Sequence, residues 1–286
     1  MIYCTILDSN AQGENIIMNG RVDRLTFLGT GDAMGVPRVY CECTVCEEAR
    51  SGGMNRRLRS SVLVEGIGGD FLIDCGPDWR TQMEMINRRA DITDIVVTHA
   101  HFDHIGGLPE WADACKWQQL KGRLFAPQEV LDMISKQFPW ISSHIEFIAN
   151  DQGMELNGWS IIPWKVHHGH NGYSYAYRFE KNDFAWVYCP DAIGLNDTQK
   201  KPLHMLDLLI LGTSFVHEET EYATRSVYDM REAAELVDEV VPSETIYTHM
   251  SHYVDLREDL NLAPSISVAR TGMTVDLGNY SSLLSE

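Results

Sequence analysis

Short apolar runs alternate with polar turns along most of this chain, and their length and periodicity predict its secondary structure. Runs rich in β-branched and aromatic residues are typical of strands. They lie at 24–28, 60–65, 70–74, 95–97, 123–126, 159–166, 173–179, 184–188, 206–211, 244–248 and 273–277. Apolar positions at helical spacing lie at 79–89, 109–120, 127–138, 226–240 and 253–260. Strands interspersed with helices favour an α/β fold, a four-layer αββα sandwich of two sheets with helices outside.

No linker or shift in composition divides the chain, and 286 residues suit one large domain. Residues 1–21 combine a strand-like piece with a polar connector, so we expect an N-terminal leader ahead of a single domain over 22–286. The first residues lack the basic and apolar regions of a secretory signal. No apolar run approaches the length that spans a bilayer. We therefore expect a cytoplasmic protein without a membrane partner.

The stretch that follows the strand at 95–97 carries the most specific chemistry. Three histidines and an aspartate fall within six residues, at His99, His101, Asp103 and His104. Alternate residues of an extended segment point the same way, so His99 and His101 can share one metal ion. Asp103 and His104 follow where the chain turns, and can reach a second ion. Imidazole and carboxylate suit zinc, manganese or iron, and two adjacent ions can promote a hydrolysis.

Metal-binding residue types recur at the C-terminal ends of predicted strands. They are His99, His168 or a neighbour, Asp191 and His249. This repeated placement indicates that the strand ends converge on one site. Counting from the preceding strand favours His168, whereas counting back from Tyr177 favours His170. Asp74, at another strand end, could orient a ligating imidazole or could cap its own turn, and both interpretations stay open.

A second group of potential ligands is the C-x-C-x-x-C motif of Cys41, Cys43 and Cys46. Three thiolates can wrap around one zinc ion, but a closed tetrahedral site needs a fourth ligand. The alternative is three unpaired thiols in a loop. Seven cysteines in a chain without an export signal favour reduced thiols over disulfides. A structural zinc is the preferred interpretation.

The charge of the chain limits its partners. The formal net charge is −18, from 41 acidic and 23 basic residues. A long polyanion such as a nucleic acid is disfavoured by this field. Metal ions would still attract a small phosphorylated substrate. Nothing in the sequence decides whether the chain forms a homodimer.

Together, Thr98-His-Ala-His-Phe-Asp-His104 and the later strand-end ligands resemble the metallo-β-lactamase superfamily, over nearly the whole chain after about residue 22. The resemblance implies two active-site divalent ions, manganese or zinc, and a bridging hydroxide that attacks an ester, amide or phosphoester. It assigns the catalytic role to Asp103. It places His99, His101 and His168 on one ion, Asp103, His104 and His249 on the other, and Asp191 between them.

A subfamily resemblance narrows the expected activity. Gly29-Thr-Gly31, the three cysteines and a second histidine three residues after His249 are similar to the phosphoribosyl cyclic phosphodiesterase of the carbon–phosphorus lyase pathway. It implies a structural zinc with His252 as fourth ligand, and hydrolysis of small cyclic or nucleotide-like phosphodiesters. That family also uses a histidine as general acid, where this chain has Ser226-Val227-Tyr228. His217 lies ten residues earlier, and its role stays open.

Two other functions fit the same ligands. One is a tRNA 3′-processing endonuclease, which the acidic charge and the cysteine motif disfavour. The other is a non-hydrolytic protein that binds a metal or ligand for a biosynthetic pathway. The missing general-acid histidine keeps this second alternative open.

Overall fold

The computed structural model describes residues 23–88 and 91–278, so the predicted leader lies outside the described residues. The strands are β1 (Arg24–Gly29), β2 (Ser61–Glu65), β3 (Phe71–Ile73), β4 (Asp94–Val96), β5 (Arg123–Ala126), β6 (Glu146–Ala149), β7 (Met154–Leu156), β8 (Trp159–His167), β9 (Tyr173–Lys181), β10 (Phe184–Cys189), β11 (Leu208–Gly212), β12 (Glu244–Thr248), β13 (Ile266–Val268) and β14 (Thr274–Asp276). The α-helices are α1 (Thr44–Arg50), α2 (Trp79–Met85), α3 (Phe102–Ile105), α4 (Leu108–Trp117), α5 (Gln128–Gln137), α6 (Asp197–Lys200) and α7 (Met230–Val240). No helix among the described residues is long and apolar enough to cross a membrane.

The strands form two sheets of seven. Their orders are β14-β1-β2-β3-β4-β5-β6 and β13-β12-β11-β10-β9-β8-β7. Neighbours from β3 to β6 are parallel, and so are neighbours from β10 to β13. Because the carboxyl ends of parallel strands open at one edge of a sheet, residues that follow β10 and β12 can meet at that edge of the second sheet, and residues that follow β4 lie at such an edge of the first. β8 runs the same way as β10, since both are antiparallel to β9.

Three apolar clusters hold the layers together. The central cluster joins the inner faces of the two sheets, and in it the rings of Phe179 and Trp186 stack with centroids 4.0 Å apart. A second cluster packs α2, α4 and α5 against the outer face of the first sheet. A third packs α7 against the second sheet. The predicted αββα sandwich is confirmed.

Some predicted boundaries are wrong for local reasons. The helix expected at 253–260 is absent, and that segment forms turns. There the Asp255 carboxylate accepts the Arg257 amide, and the Asp259 carboxylate accepts the Asn261 amide. Such bonds from side chain to backbone compete with the helical pattern. Helix α7 starts at Met230 rather than 226, because the Asp229 side chain caps it.

Candidate metal centre

The segment after β4 turns sharply so that four polar side chains face one point. His101 precedes α3, and Asp103 and His104 lie within that one-turn helix. His99 Nε2 lies 2.8 Å from His101 Nδ1. Burial, and after it the nearby His104, lowers the pKa of His99 well below its usual range. The His99 ring is therefore neutral, and its spacing from His101 suits two nitrogens that share an ion at about 2.1 Å.

The third histidine of this first group comes from the end of β8. Ligand-capable atoms of His99, His101 and His168 all lie within 4.8 Å of one another. His168 is buried, and its Nδ1 donates to the Ser226 carbonyl at 2.7 Å, which leaves Nε2 for the centre. His170 is exposed, and no group of potential ligands among the described residues includes it. The structure thus places His168, and not His170, beside the other two.

A second group of atoms within 4.8 Å of one another comes from Asp103, His104 and His249. Asp191, which follows β10, lies between the two groups. Its Oδ2 is 3.0 Å from His104 Nε2, and its Oδ1 is 3.4 Å from His249 Nε2 and 3.6 Å from His168 Nε2. These seven residues, His99, His101, Asp103, His104, His168, Asp191 and His249, are called the histidine–aspartate cluster below.

Several buried atoms of this cluster lack a hydrogen-bond partner among the described residues. They are His104 Nε2, Asp191 Oδ2 and both ring nitrogens of His249; His104 Nε2 and Asp191 Oδ2 lie 3.0 Å apart, but not in hydrogen-bond geometry. Burial alone would lower the pKa of His104, but the carboxylates around it, Asp103 foremost, raise it well above the usual range. The cluster therefore favours a positive charge at its centre. A divalent metal supplies that charge and satisfies the unpaired atoms, so the donor set fits metal ions.

Asp74 supports the cluster from behind. Its Oδ2 is 2.7 Å from His104 Nδ1, and its Oδ1 accepts the Thr98 amide at 2.8 Å. It is fully buried, with φ of 63°, and His249 also adopts a left-handed backbone with φ of 57°. Non-glycine residues in this region are costly and often mark functional sites. Of the two open interpretations of Asp74, the structure shows the contact with an imidazole.

We expect Asp74→Asn to weaken metal binding by about 10-fold to 100-fold, since an amide holds the His104 ring less firmly and without charge. Competition with a chromophoric chelator measures this affinity. Asp132→Asn, at an exposed position on α5, is the matched control. Unchanged affinity in Asp74→Asn would show that Asp74 serves only the turn.

The three cysteines lie around one imidazole. His252 Nδ1 is 3.2 Å from Cys41 Sγ and 3.5 Å from both Cys43 Sγ and Cys46 Sγ. In a tetrahedral zinc site, sulfur and nitrogen ligands are about 3.6 Å apart, from bond lengths of about 2.3 and 2.1 Å. The backbone amide of Arg38 also donates to Cys46 Sγ at 3.4 Å. The group, called the cysteine–histidine cluster below, has a donor set and spacing that fit zinc.

Comparison with known proteins establishes the family. A model described as the beta-lactamase superfamily domain matches residues 70–250. The chain belongs to this superfamily. The matched range contains the whole histidine–aspartate cluster, whereas Cys41, Cys43, Cys46 and His252 lie outside it.

A solved structure of this superfamily covers almost the whole chain. It is described as a new diphosphatase from the PhnP family, with 28% sequence identity and a TM-score of 0.78, over 90% of this chain and 98% of that one. The metallo-β-lactamase fold and the expected family resemblance are thereby confirmed.

This chain covers a smaller share of the length of its curated relatives. An octanoyltransferase from Porphyromonas gingivalis is 25% identical over 84% of this chain and 49% of its own. A ribonuclease Z from Metallosphaera sedula is 30% identical over 41% of this chain and 42% of its own. The chain thus spans about half the length of these relatives or less.

The loop between β11 and α7 holds the position where the phosphodiesterase family has a general acid. Ser226 there offers its carbonyl to His168, and Tyr228 is buried with its hydroxyl accepting the Leu195 amide at 2.8 Å. Burial raises the pKa of Tyr228. His217 lies on the same loop, with Nδ1 3.0 Å from Oδ2 of the buried Asp229. The sequence alone did not reveal this His–Asp pair, because no periodicity or motif links two residues twelve positions apart across an irregular loop.

Proposed function

We propose that this member of the superfamily is a metal-dependent hydrolase of small phosphodiesters or diphosphates. The observation that carries the proposal is Asp191, whose carboxylate lies within 3.6 Å of imidazoles from both ligand groups. A carboxylate shared in this way is suited to two ions side by side. The 28% identity to a diphosphatase along nearly the full chain supports the substrate class.

The cluster would hold two divalent ions, zinc or manganese, through the groups described above. When bound, such ions activate a water molecule and neutralise charge that develops on the phosphoryl oxygens. Asp103 supplies a carboxylate to the second group and lies 3.1 Å from His104 Nε2. The Ser226 carbonyl and Asp74 hold the outer nitrogens of His168 and His104, which aims their inner nitrogens at the centre.

The absence of an imidazole at 226–228 bears on which phosphate ester is cleaved. An alkoxide leaving group needs a proton, and a positioned acid speeds that transfer. A phosphate leaving group departs without one at neutral pH. A site with a poor proton donor therefore favours diphosphates and activated esters over the cyclic esters of ribose.

The environment of the thiols is consistent with the rest of the proposal. The cysteines of the described residues, six in number, form no disulfide. This fits a structural zinc at the cysteine–histidine cluster and a reducing compartment such as the cytoplasm.

A turnover assay over four substrates tests the proposal. With zinc or manganese, we expect hydrolysis of bis(p-nitrophenyl) phosphate and of a dinucleoside diphosphate. We expect rates on a 2′,3′-cyclic nucleotide to be lower by at least about 100-fold, because general acid catalysis typically contributes that factor or more. A precursor tRNA should stay intact.

The other outcomes separate the alternatives. Cleavage of precursor tRNA alone would favour the endonuclease, to which a ribonuclease Z relative also points. If the metal-loaded protein turned over none of the four, the hydrolase proposal would fail and a non-hydrolytic, ligand-binding role would take its place.

A further inference from the structure

Arg57 is a long, charged side chain buried beside the cysteine–histidine cluster. It is 2% exposed, although it lies in the segment that joins α1 to β2. Its backbone pairs with Val36 in both directions at 2.9 Å. Val36 packs against Cys46 in a small apolar cluster at the base of α1. The Arg57 backbone is therefore fixed next to the segment that carries Cys46.

Only part of the hydrogen-bonding capacity of the Arg57 guanidinium is used. Its Nη2 donates to the carbonyls of Ser251 at 3.1 Å and Val254 at 2.8 Å, which flank His252. Its Nε and Nη1 have no hydrogen-bond partner among the residues that the structure describes. Within the described parts of the chain it forms no ion pair with a carboxylate at 4.0 Å or less. Two neutral carbonyls accept hydrogen bonds, but they do not balance a full positive charge.

Such a group needs a negative charge close by. Burial lowers the pKa of Arg57 to about 10, and the nearby negative groups oppose that shift, Asp32 first and then Asp255 and Cys46. At neutral pH the guanidinium thus stays charged. A buried charge without a counter-ion is strongly destabilising. Asp32 and Asp255 are already paired with Arg38 and Arg257. Three thiolates and an imidazole around Zn²⁺ would carry a net charge of −1, which would balance the charge of Arg57.

We propose that Arg57 is the counter-ion of a zinc ion in the cysteine–histidine cluster and fixes the turn from His249 to His252. The inference rests on the proposed zinc site. With the ion present, the zinc complex and Arg57 would together have zero net charge. Without it, a cation stands beside thiols that have no metal.

The same turn links this unit to the histidine–aspartate cluster. It begins at His249, whose left-handed backbone turns the chain after β12, and ends at His252. Between them, the Met250 amide donates to the Thr30 carbonyl at 2.8 Å and the Ser251 amide to the Ser214 carbonyl at 3.1 Å. Arg57 holds the Ser251 carbonyl from the other side. Arg57 thus helps to hold the segment between His249 and His252 in place, and within the described residues it has no hydrogen bond to His99, His101 or His168.

Arg57→Met tests the proposal, since it keeps much of the apolar stem and removes the charge. Arg56→Met is the matched control, because Arg56 is adjacent and exposed, and forms no ion pair with any described residue. When cobalt replaces zinc, the absorption of the cobalt–thiolate bond measures metal binding at the cysteine–histidine cluster separately from metal binding at the histidine–aspartate cluster. We expect Arg57→Met to lower the affinity of this cluster for zinc by about 10-fold to 100-fold, and Arg56→Met to match the wild type.

Arg57→Lys covers the case in which the methionine variant does not fold. The Arg57→Lys variant keeps a positive charge but loses the planar set of N–H donors of the guanidinium. Its affinity for zinc should therefore fall between those of the wild type and Arg57→Met. If a folded Arg57→Met retained zinc as tightly as the wild type, or if Arg57→Lys failed to retain zinc although it keeps the charge, the counter-ion proposal would be overturned even if the variant melted earlier. If the wild type held no zinc at its cysteines, the zinc site itself would be wrong, a different result that the cobalt spectrum identifies.

Discussion

Replacing Asp191 by asparagine is expected to reduce turnover of bis(p-nitrophenyl) phosphate by about a thousandfold or more. The side chain keeps its size but loses the charge that faces His104, His168 and His249. Burial would raise the pKa of Asp191, yet these three imidazoles hold it well below the usual range, so the wild-type carboxylate is ionised at any working pH. The amide cannot bridge two cations in its place.

Metal analysis separates this effect from unfolding. Plasma mass spectrometry of Asp191→Asn should show less than the wild-type content of active-site metal, while circular dichroism shows the same secondary structure. The metal of the cysteine–histidine cluster should remain, since Asp191 does not belong to it. Asp132→Asn again serves as the control. A variant that kept half of the wild-type turnover would show that the reaction does not occur at this cluster.

The second large effect concerns Cys43→Ala. We expect the variant to lose one zinc ion per chain and to become less stable by about 4 kcal/mol or more, because metal binding contributes directly to folding. For a chain of this size, that loss lowers the melting temperature by roughly 8 °C or more. Calorimetry and metal analysis of the same sample measure both quantities.

A buried thiol outside the cluster supplies the control for this experiment. Cys115→Ala, on α4, removes a cysteine from the apolar cluster behind the first sheet without touching the proposed zinc. It should retain full metal content even if packing is weakened. If Cys43→Ala held as much zinc as Cys115→Ala, the cysteines would not form a metal site.

The site residues that could be predicted are those that lie close together in the sequence. His99, His101, Asp103 and His104 lie together in the sequence, and one strand end and one turn suffice to group them. The sandwich itself followed from the run lengths and from their order. Ligands at later strand ends could be proposed because metal-binding residue types recur at the ends of predicted strands.

The parts that could not be predicted depend on contacts between distant segments. The choice of His168 over His170 follows from the Ser226 carbonyl, far along the chain, which orients the ring. Arg57 has no motif, and only its burial against 251–254 reveals that it needs a counter-ion. The predicted helix at 253–260 was wrong because the Asp255 and Asp259 carboxylates accept hydrogen bonds from nearby backbone amides.

The division of ligands between the two sheets has a consequence for how the chain assembles. Residues after β4 come from the first half and the first sheet, whereas His168, Asp191 and His249 come from the second. Neither half alone carries a complete set, so the ions can bind strongly only after the sheets have docked. Metal bound at the cluster would then act as a reversible cross-link, and it would stabilise the docked state in proportion to the logarithm of its free concentration. Metal scarcity would thus loosen the junction between the sheets before it disturbs the strands within each.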